Sequence, residues 1–241
     1  MHSSLLSATH RAMPIGTLIN AAAIILGSLL GLLLGGRFSD RYRTLVYHSI
    51  GLCVLVIGLH MALSFDNVLI LVFSMLCGAL CGQLLRLDER LISAGNMLKT
   101  RLGSKDARFT DGFVTASLLF CIGSMAILGS IDEGIRGDRT ILLTKSILDG
   151  FICIPLASTY GIGVLFSFLS ILLYQGSITL LAGQAQGVFT DPIINQLTST
   201  GGLLIMGIGI NLLDLKNINV TNMLPALVFA VLFTVFLPAA F

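Results

Sequence analysis

Charge is what this chain has least of. Only 11% of its 241 residues are Asp, Glu, Lys or Arg, against about a quarter in an ordinary soluble domain. A soluble fold would have to cover its surface with almost no ionised side chains, so that class is excluded. Tryptophan is absent and aromatics amount to 7%, leaving Tyr42, Tyr47, Tyr160 and Tyr174 as a thin interfacial belt. The five cysteines, Cys53, Cys77, Cys81, Cys121 and Cys153, all lie in apolar runs. Cys77 and Cys81 share a helical face, but no His or carboxylate stands close in sequence to complete a metal set. They are expected to pack as small apolar side chains, and no metal or other cofactor is expected. The net charge of +2 gives no ground for a nucleic-acid partner. HExxH, GxSxG and Walker A motifs are missing, so the chain is not expected to be an enzyme.

What is present is apolar sequence. The chain is 55% hydrophobic with 26 glycines, and its mean hydropathy is +0.96. That is the composition of helices packed in lipid, where small residues let backbones approach closely. The fold class is therefore an all-α polytopic membrane protein, with the bilayer as its first partner. Uncharged runs cover 12–36, 44–65, 67–85, 112–131, 150–190, 192–213 and 217–241. About 20 residues of helix cross the hydrocarbon core. The run 150–190 is too long for one helix, and Pro155, Ser158, Thr159 and Gly161 mark its break. With a span over 140–158 the total is about 8 transmembrane helices. A re-entrant hairpin there would leave 7 spans plus the hairpin and move the C-terminus across the membrane. Residues 84–102 place Leu84, Leu87, Leu91, Leu98 and Leu102 at helical spacing among charges, an amphipathic loop helix. Met13 opens MPIGTLIN, so residues 1–12 read as a dispensable extension and 13–241 as one transmembrane domain. The first apolar run is longer than the core of a cleaved signal.

The basic residues set an orientation. Arg37, Arg41, Arg43, Arg86, Arg90, Lys99, Arg101, Lys105, Arg108 and Lys216 all fall on one side of an eight-span chain, and Arg11, Arg136 and Arg139 on the other. Positive charge stays in the cytoplasm, so both termini are expected outside a bacterial inner membrane. An internal similarity is also present. Residues 49–60, SIGLCVLVIGLH, lie over 200–211, TGGLLIMGIGIN, matching Gly51 to Gly202, Gly58 to Gly209 and His60 to Asn211. Asn67 then matches Asn217 after a one-residue gap. The shift is five spans, so helices 1–3 and 6–8 would form an inverted repeat, an architecture frequent in secondary transporters.

Ionisable groups inside apolar sequence cost roughly 2.5–3.5 kcal/mol each unless paired. Lys145 and Asp149, at i,i+4 spacing, share a helix face and can pair. With Ser146 beside them and Asn20 in the first span, they make a candidate substrate or ion pathway. Asn222 and the carbonyl freed by Pro225 are expected on the facing repeat. The pair could equally be a structural lock, or sit near the interface with Lys145 reaching water. Asp132, Glu133 and Asp138, spaced by glycines, are expected in a solvated outer loop, with a cation vestibule as the less favoured alternative. Gly27, Gly31 and Gly35 form GxxxGxxxG, and Gly78 with Gly82 repeats the spacing. These are helix-packing faces, within one chain or across a homodimer.

GTLIN, GSLLGLLLG, SIGLCVLVIGL, FCIGSMAILGSI, the GD after the outer loop, KSILDG, GIGV, YQGSITLLA and NMLPAL occur in this order from Gly16 nearly to the C-terminus. In these motifs the chain resembles the YdfK/YqgA-like family of uncharacterised bacterial inner-membrane proteins. The resemblance implies a multi-pass bacterial membrane protein and no particular substrate. Gly16, Asn20, Lys145, Asp149, Asn222 and Pro225 all fall in its motifs. Ser124 departs from it, since the family often carries proline there; the resemblance alone therefore carries no helix kink to that position. The function expected is a small transporter or channel-like permease for an ion or small polar solute. An accessory or regulatory membrane subunit is the alternative, and a membrane enzyme is disfavoured by the missing motifs.

Overall fold

The structure, a computed structural model, describes residues 14–35, 40–122, 124–182 and 190–236, apart from the side chains of 40–43, 46, 47 and 124. The extension expected over 1–12 lies outside the described residues. The described elements are helices: α1 (Ile15–Gly35), α2 (Asp40–Ala62), α3 (Val68–Leu85), α4 (Leu87–Arg101), α5 (Phe109–Cys121), α6 (Ser124–Arg136), α7 (Thr140–Tyr160), α8 (Ser167–Leu181), α9 (Asp191–Leu212), α10 (Val220–Met223) and α11 (Ala226–Phe236). A 3-10 turn, Gly161–Val164, extends α7.

Small and polar residues point inward and leucines outward. On α1 the buried positions are Gly16, Thr17, Asn20, Ala21, Ile24, Gly27, Ser28, Gly31 and Gly35, a stripe at three- and four-residue spacing. Leu18, Leu26, Leu29, Leu30 and Leu33 are exposed. In lipid an outward leucine costs nothing, and backbone proximity on the inner face does the packing. The glycine stripe meets α7. A Cβ on Gly27 would land on the Gly150 carbonyl, one on Gly31 on the Ile154 carbonyl, and one on Gly35 against Ser158. Numbering advances together on both helices, so α1 and α7 run parallel.

Two further pairs run antiparallel. Gly51 meets Gly209 while Gly58 meets Gly202, which crosses α2 with α9. Gly78 meets Ala226 and Gly82 meets Asn222, which lays α3 against α10 and α11. The glycine faces foreseen in the sequence are thus all used inside one chain. Two apolar cores result. One gathers Ile24, Phe120, Cys153, Leu156 and Ile171 among α1, α5, α7 and α8; the other gathers Val54, Leu118, Leu204, Ile208 and Val220 among α2, α5, α9 and α10.

Four segments are long and apolar enough to cross a membrane: α1, α3, α7 with its 3-10 turn, and α9. The pair α5 and α6, bent by 60°, makes a fifth if counted as one span. His48–Ala62, α8 and Val220–Phe236 are shorter apolar helices.

The re-entrant alternative for 140–158 is not what the structure shows. α7 runs through Pro155 for 21 residues and ends at Gly161, whose φ of 80° suits glycine. The interruption is one span earlier. Ile122 closes α5 with extended backbone, φ −83° and ψ 115°, and α6 leaves at the 60° bend. The bend therefore occurs without proline at residue 124.

Turn chemistry fixes the helix ends. Arg86, at φ 52°, ends α3 and turns the chain into α4, which covers most of the amphipathic helix expected over 84–102. Asn67 caps α3, its Oδ1 accepting from Leu69 N at 2.9 Å and Ile70 N at 3.4 Å. Asn67→Ala is expected to lower stability by about 1 kcal/mol, measured by chemical unfolding in detergent. Asp106 Oδ2 accepts from Ile162 N at 3.1 Å, tying the loop before α5 to the end of α7. This defines one face of the molecule. Gly16, Arg136 and Thr140, the opposite helix ends, define the other.

Candidate functional site

The parallel seam of α1 and α7 places Asn20 opposite Asp149. Because Gly27 and Gly150 bring the backbones together, a short amide side chain reaches a short carboxylate across the two helices. Asn20 Nδ2 donates to Asp149 Oδ2 at 3.0 Å. It also donates to Gln175 Oε1 on α8 at 3.1 Å. Asp149 Oδ2 accepts a second hydrogen bond, from the Lys145 ammonium one turn earlier on α7. The Lys145 ammonium stands 5.9 Å from the centroid of the Phe120 ring, within cation–π range. Phe120 lies just before the bend between α5 and α6.

Lys145 and Asp149 are each 6% exposed, and Asn20 and Gln175 are fully buried. Lys145 therefore does not reach water along its stem. An ion pair in a low dielectric attracts strongly, but both ions lose hydration, so it is retained only where hydrogen bonds assist. Asn20 and Phe120 supply that assistance. Chemically the cluster can hold one charge against another and exchange partners at Asp149 Oδ2, which already serves two donors.

The other expected pathway residues are not at this cluster. Ser146 is buried but its hydroxyl donates back to Leu142 O at 2.7 Å, along its own helix. Asn222 Nδ2 donates to Gln83 Oε1 at 2.9 Å, and its Oδ1 accepts from Asp88 N at 2.9 Å. It joins α10 to α3 and α4 and does not face Lys145. Pro225 lies between α10 and α11, not within a helix. The carbonyl it would free, that of Thr221, accepts from Leu224 N at 3.2 Å. Asp88 is held below the ordinary carboxylate range, chiefly by the Asn219 amide and then by the Glu89 N–H.

Glu133 also departs from the sequence reading. It sits on α6 at 1% exposure, not in a solvated loop; Gly134 beside it lets α6 dock. Gly134 lies against the Thr179 carbonyl, where a Cβ would have no room. Glu133 Oε1 accepts from Gly16 N at 2.7 Å and Arg139 Nε at 3.1 Å. Gly16 belongs to the first turn of α1, whose N–H groups have no partner within the helix, so Glu133 caps α1 from another helix. Asp138 does stay exposed. It accepts from Thr140 N at 2.9 Å and from the Thr140 hydroxyl at 2.7 Å. Those bonds, the backbone one foremost, hold its pKa below the usual value. At neutral pH it is an ionised cap for α7.

None of Asn20, Phe120, Lys145, Asp149 or Gln175 lines either of two cavities found among the described residues. A polar one of about 690 Å³ is lined by Asp111, Tyr160, Asn211, Asp214 and Lys216. An apolar one of about 800 Å³ is lined by Cys121 and Tyr174, sequence neighbours of Phe120 and Gln175. Leu118 borders both. Gln175 completes the cluster without having been singled out in the sequence as a pathway residue. Its polarity in an apolar run was visible, but nothing tied it to Asn20, 155 positions away.

The family pattern described as "Protein of unknown function (DUF554)" matches residues 15–235. The chain belongs to this family. It is 35% identical over 217 residues to "Uncharacterized membrane protein YdfK" of Bacillus subtilis (strain 168), covering 88% of this chain and 92% of that one. It is 32% identical over 223 residues to "Uncharacterized protein YqgA" of Escherichia coli (strain K12), covering 90% and 95%. No solved structure matches. The DUF554 pattern spans every site residue described above, and one of these relatives is named a membrane protein, in accord with the spans seen here.

Proposed function

We propose that this DUF554 chain is a small permease for an ion or small polar solute, working in the bacterial cytoplasmic membrane. The observation that carries the reading is the buried Lys145–Asp149 pair, bonded to the Asn20 amide of α1, which in turn bonds Gln175 of α8, beside a bent helix pair. Ionisable groups at membrane depth are expensive and mark transport routes more often than packing. Discontinuous helices at such sites expose backbone polar groups where a cavity or substrate meets them. Reading the bent pair and the shorter apolar helices as spans gives eight in all, with both termini outside by the distribution of Lys and Arg.

The inverted repeat belongs to the same proposal, and the α2–α9 crossing supports it. Under the sequence match of Gly51 with Gly202 and Gly58 with Gly209, the contact of Gly51 with Gly209 maps onto that of Gly202 with Gly58. Both contacts occur, and each glycine abuts the other's carbonyl oxygen. That reciprocity is what a two-fold axis in the membrane plane produces. α1 and α8 are then counterparts, and Asn20 with Gln175 joins them, so the cluster lies where the repeats meet. A homodimer would have to use the leucine-rich outer faces, since the glycine faces are occupied. Native mass measured in nanodiscs checks this: a dimer is expected, and monomer alone rejects it.

The test is flux in liposomes over a panel of inorganic ions and organic anions. Native protein is expected to carry at least one solute, and Lys145→Ala to carry it at least about tenfold more slowly, the scale of one lost charge-assisted contact. Equal rates would remove Lys145 from the pathway. A second reading, an accessory subunit in which the pair merely locks α7 to α1, is favoured by the pair's near-complete burial. It predicts no flux of any solute.

A further inference from the structure

Buried polar atoms without hydrogen-bond partners are rare in folded proteins and costlier still in lipid. Here they are gathered. Eight side-chain atoms among the described residues are buried and unpartnered, and six of them lie on three neighbouring helices; setting aside Ser28 Oγ, about two turns beyond Asn20 on α1, five remain toward the Gly16 face. They are Thr17 Oγ1 and Asn20 Oδ1 on α1, Glu133 Oε2 on α6, and Gln175 Nε2 and Thr179 Oγ1 on α8. None of these residues is more than 3% exposed.

The five form two tiers. Glu133 binds the N–H of Gly16, which sets Thr17 at its level. Gly134 abuts the Thr179 carbonyl, which sets Thr179 there too. Asn20 and Gln175, bonded to each other, stand about one turn deeper, ~5 Å at 1.5 Å per residue. The outer tier lies at the Gly16 face, and the inner tier touches Asp149.

Four of the five atoms are oxygens, and one belongs to a carboxylate. Threonine hydroxyls can donate to a carboxylate, yet no hydrogen bond joins either of them to Glu133. Hard oxygen ligands with a single carboxylate suit a cation of low charge. A tightly held divalent ion takes several carboxylates, and no group of three His, Cys, Asp or Glu comes together among the described residues. The Arg139 guanidinium already pairs with Glu133 Oε1 at 3.1 Å, which leaves Oε2 as the unpartnered carboxylate oxygen.

We propose that these tiers form a binding site for a monovalent cation, an alkali ion or hydronium, that enters between α1, α6 and α8 with Glu133 as its charged ligand. On reaching the inner tier the cation competes with Lys145 for Asp149 Oδ2. The onward route rests on the permease reading; the binding site does not.

The test uses the full-length protein, native and as Glu133→Gln, which keeps an oxygen for Gly16 N–H, with Thr179→Val as a second variant. Thermal unfolding is followed in sodium, in potassium and in N-methylglucamine, and across pH for the hydronium arm. Cation uptake into liposomes is followed in parallel. The native protein is expected to be stabilised by one cation, with the apparent affinity falling about tenfold or more in each variant. A native protein indifferent to all three arms overturns the site, as do variants that respond like the native protein. Cation-dependent stabilisation without any flux keeps the site and overturns the permease. Anion flux alone, abolished by Lys145→Ala, keeps the permease and overturns the site.

Discussion

Lys145→Ala and Asp149→Ala are each expected to destabilise the protein by about 3–5 kcal/mol, whereas Lys145→Met with Asp149→Leu is expected to be neutral or stabilising. Removing the ammonium leaves a carboxylate at 6% exposure with Asn20 as its remaining partner. Removing the carboxylate leaves an ammonium beside the Phe120 ring without its carboxylate, and takes from Asn20 one of its two acceptors. Either variant buries an uncompensated charge. The double variant removes both charges at similar volume and spares the surrounding helices. Unfolding in detergent measures all three. Singles that unfold like the double variant would show that the pair is already solvated and not the closed ion pair described here.

Gly31→Val is expected to cost about 3 kcal/mol or more, at the upper end of overpacking effects. Its first added carbon falls on the Ile154 carbonyl, with the Ala157 Cβ 3.0 Å away. A backbone oxygen in a helix has nowhere to go, so α1 and α7 must separate. Separation also pulls Asn20 from Asp149, so the loss of packing reaches the polar cluster. Gly176→Ala on α8 is the control. Nothing lies within 4 Å of the Cβ it would gain, and alanine adds up to about 1 kcal/mol of helix propensity. The two melting temperatures are expected to move in opposite directions. Equal shifts would mean that the α1–α7 seam is looser than its glycines imply.

Those glycines show what was legible in the sequence and what was not. Spacing alone announced a packing face at Gly27, Gly31 and Gly35, but a small-residue stripe carries no address, and nothing named α7 as its partner. The pairing of Lys145 with Asp149 was local, one helical turn, and so could be read directly. Asn20 and Gln175 complete the cluster through contacts across more than a hundred residues, where periodicity says nothing. Glu133 was misread because glycines at 134 and 137 resemble a loop, while Gly134 in fact lets α6 press against α8. Asn222 and Pro225 suggested a broken helix lining a pathway. The break exists, but Asn222 spends its hydrogen bonds on Gln83 and Asp88 at the far face.

Polar residues in apolar sequence therefore marked helices that meet in the structure, without separating route from fastening. Thr17 and Thr179 had no signal at all, since a threonine in a membrane helix ordinarily satisfies itself on the carbonyl a turn back. Only their missing partners distinguish them.

The measurement that bears most directly on the permease is flux through liposomes containing the Lys145→Met/Asp149→Leu double variant, with its folding checked beforehand. The expected result is a protein at least as stable as the native one that moves solute no faster than protein-free liposomes. Flux at the native rate from that folded variant would contradict it.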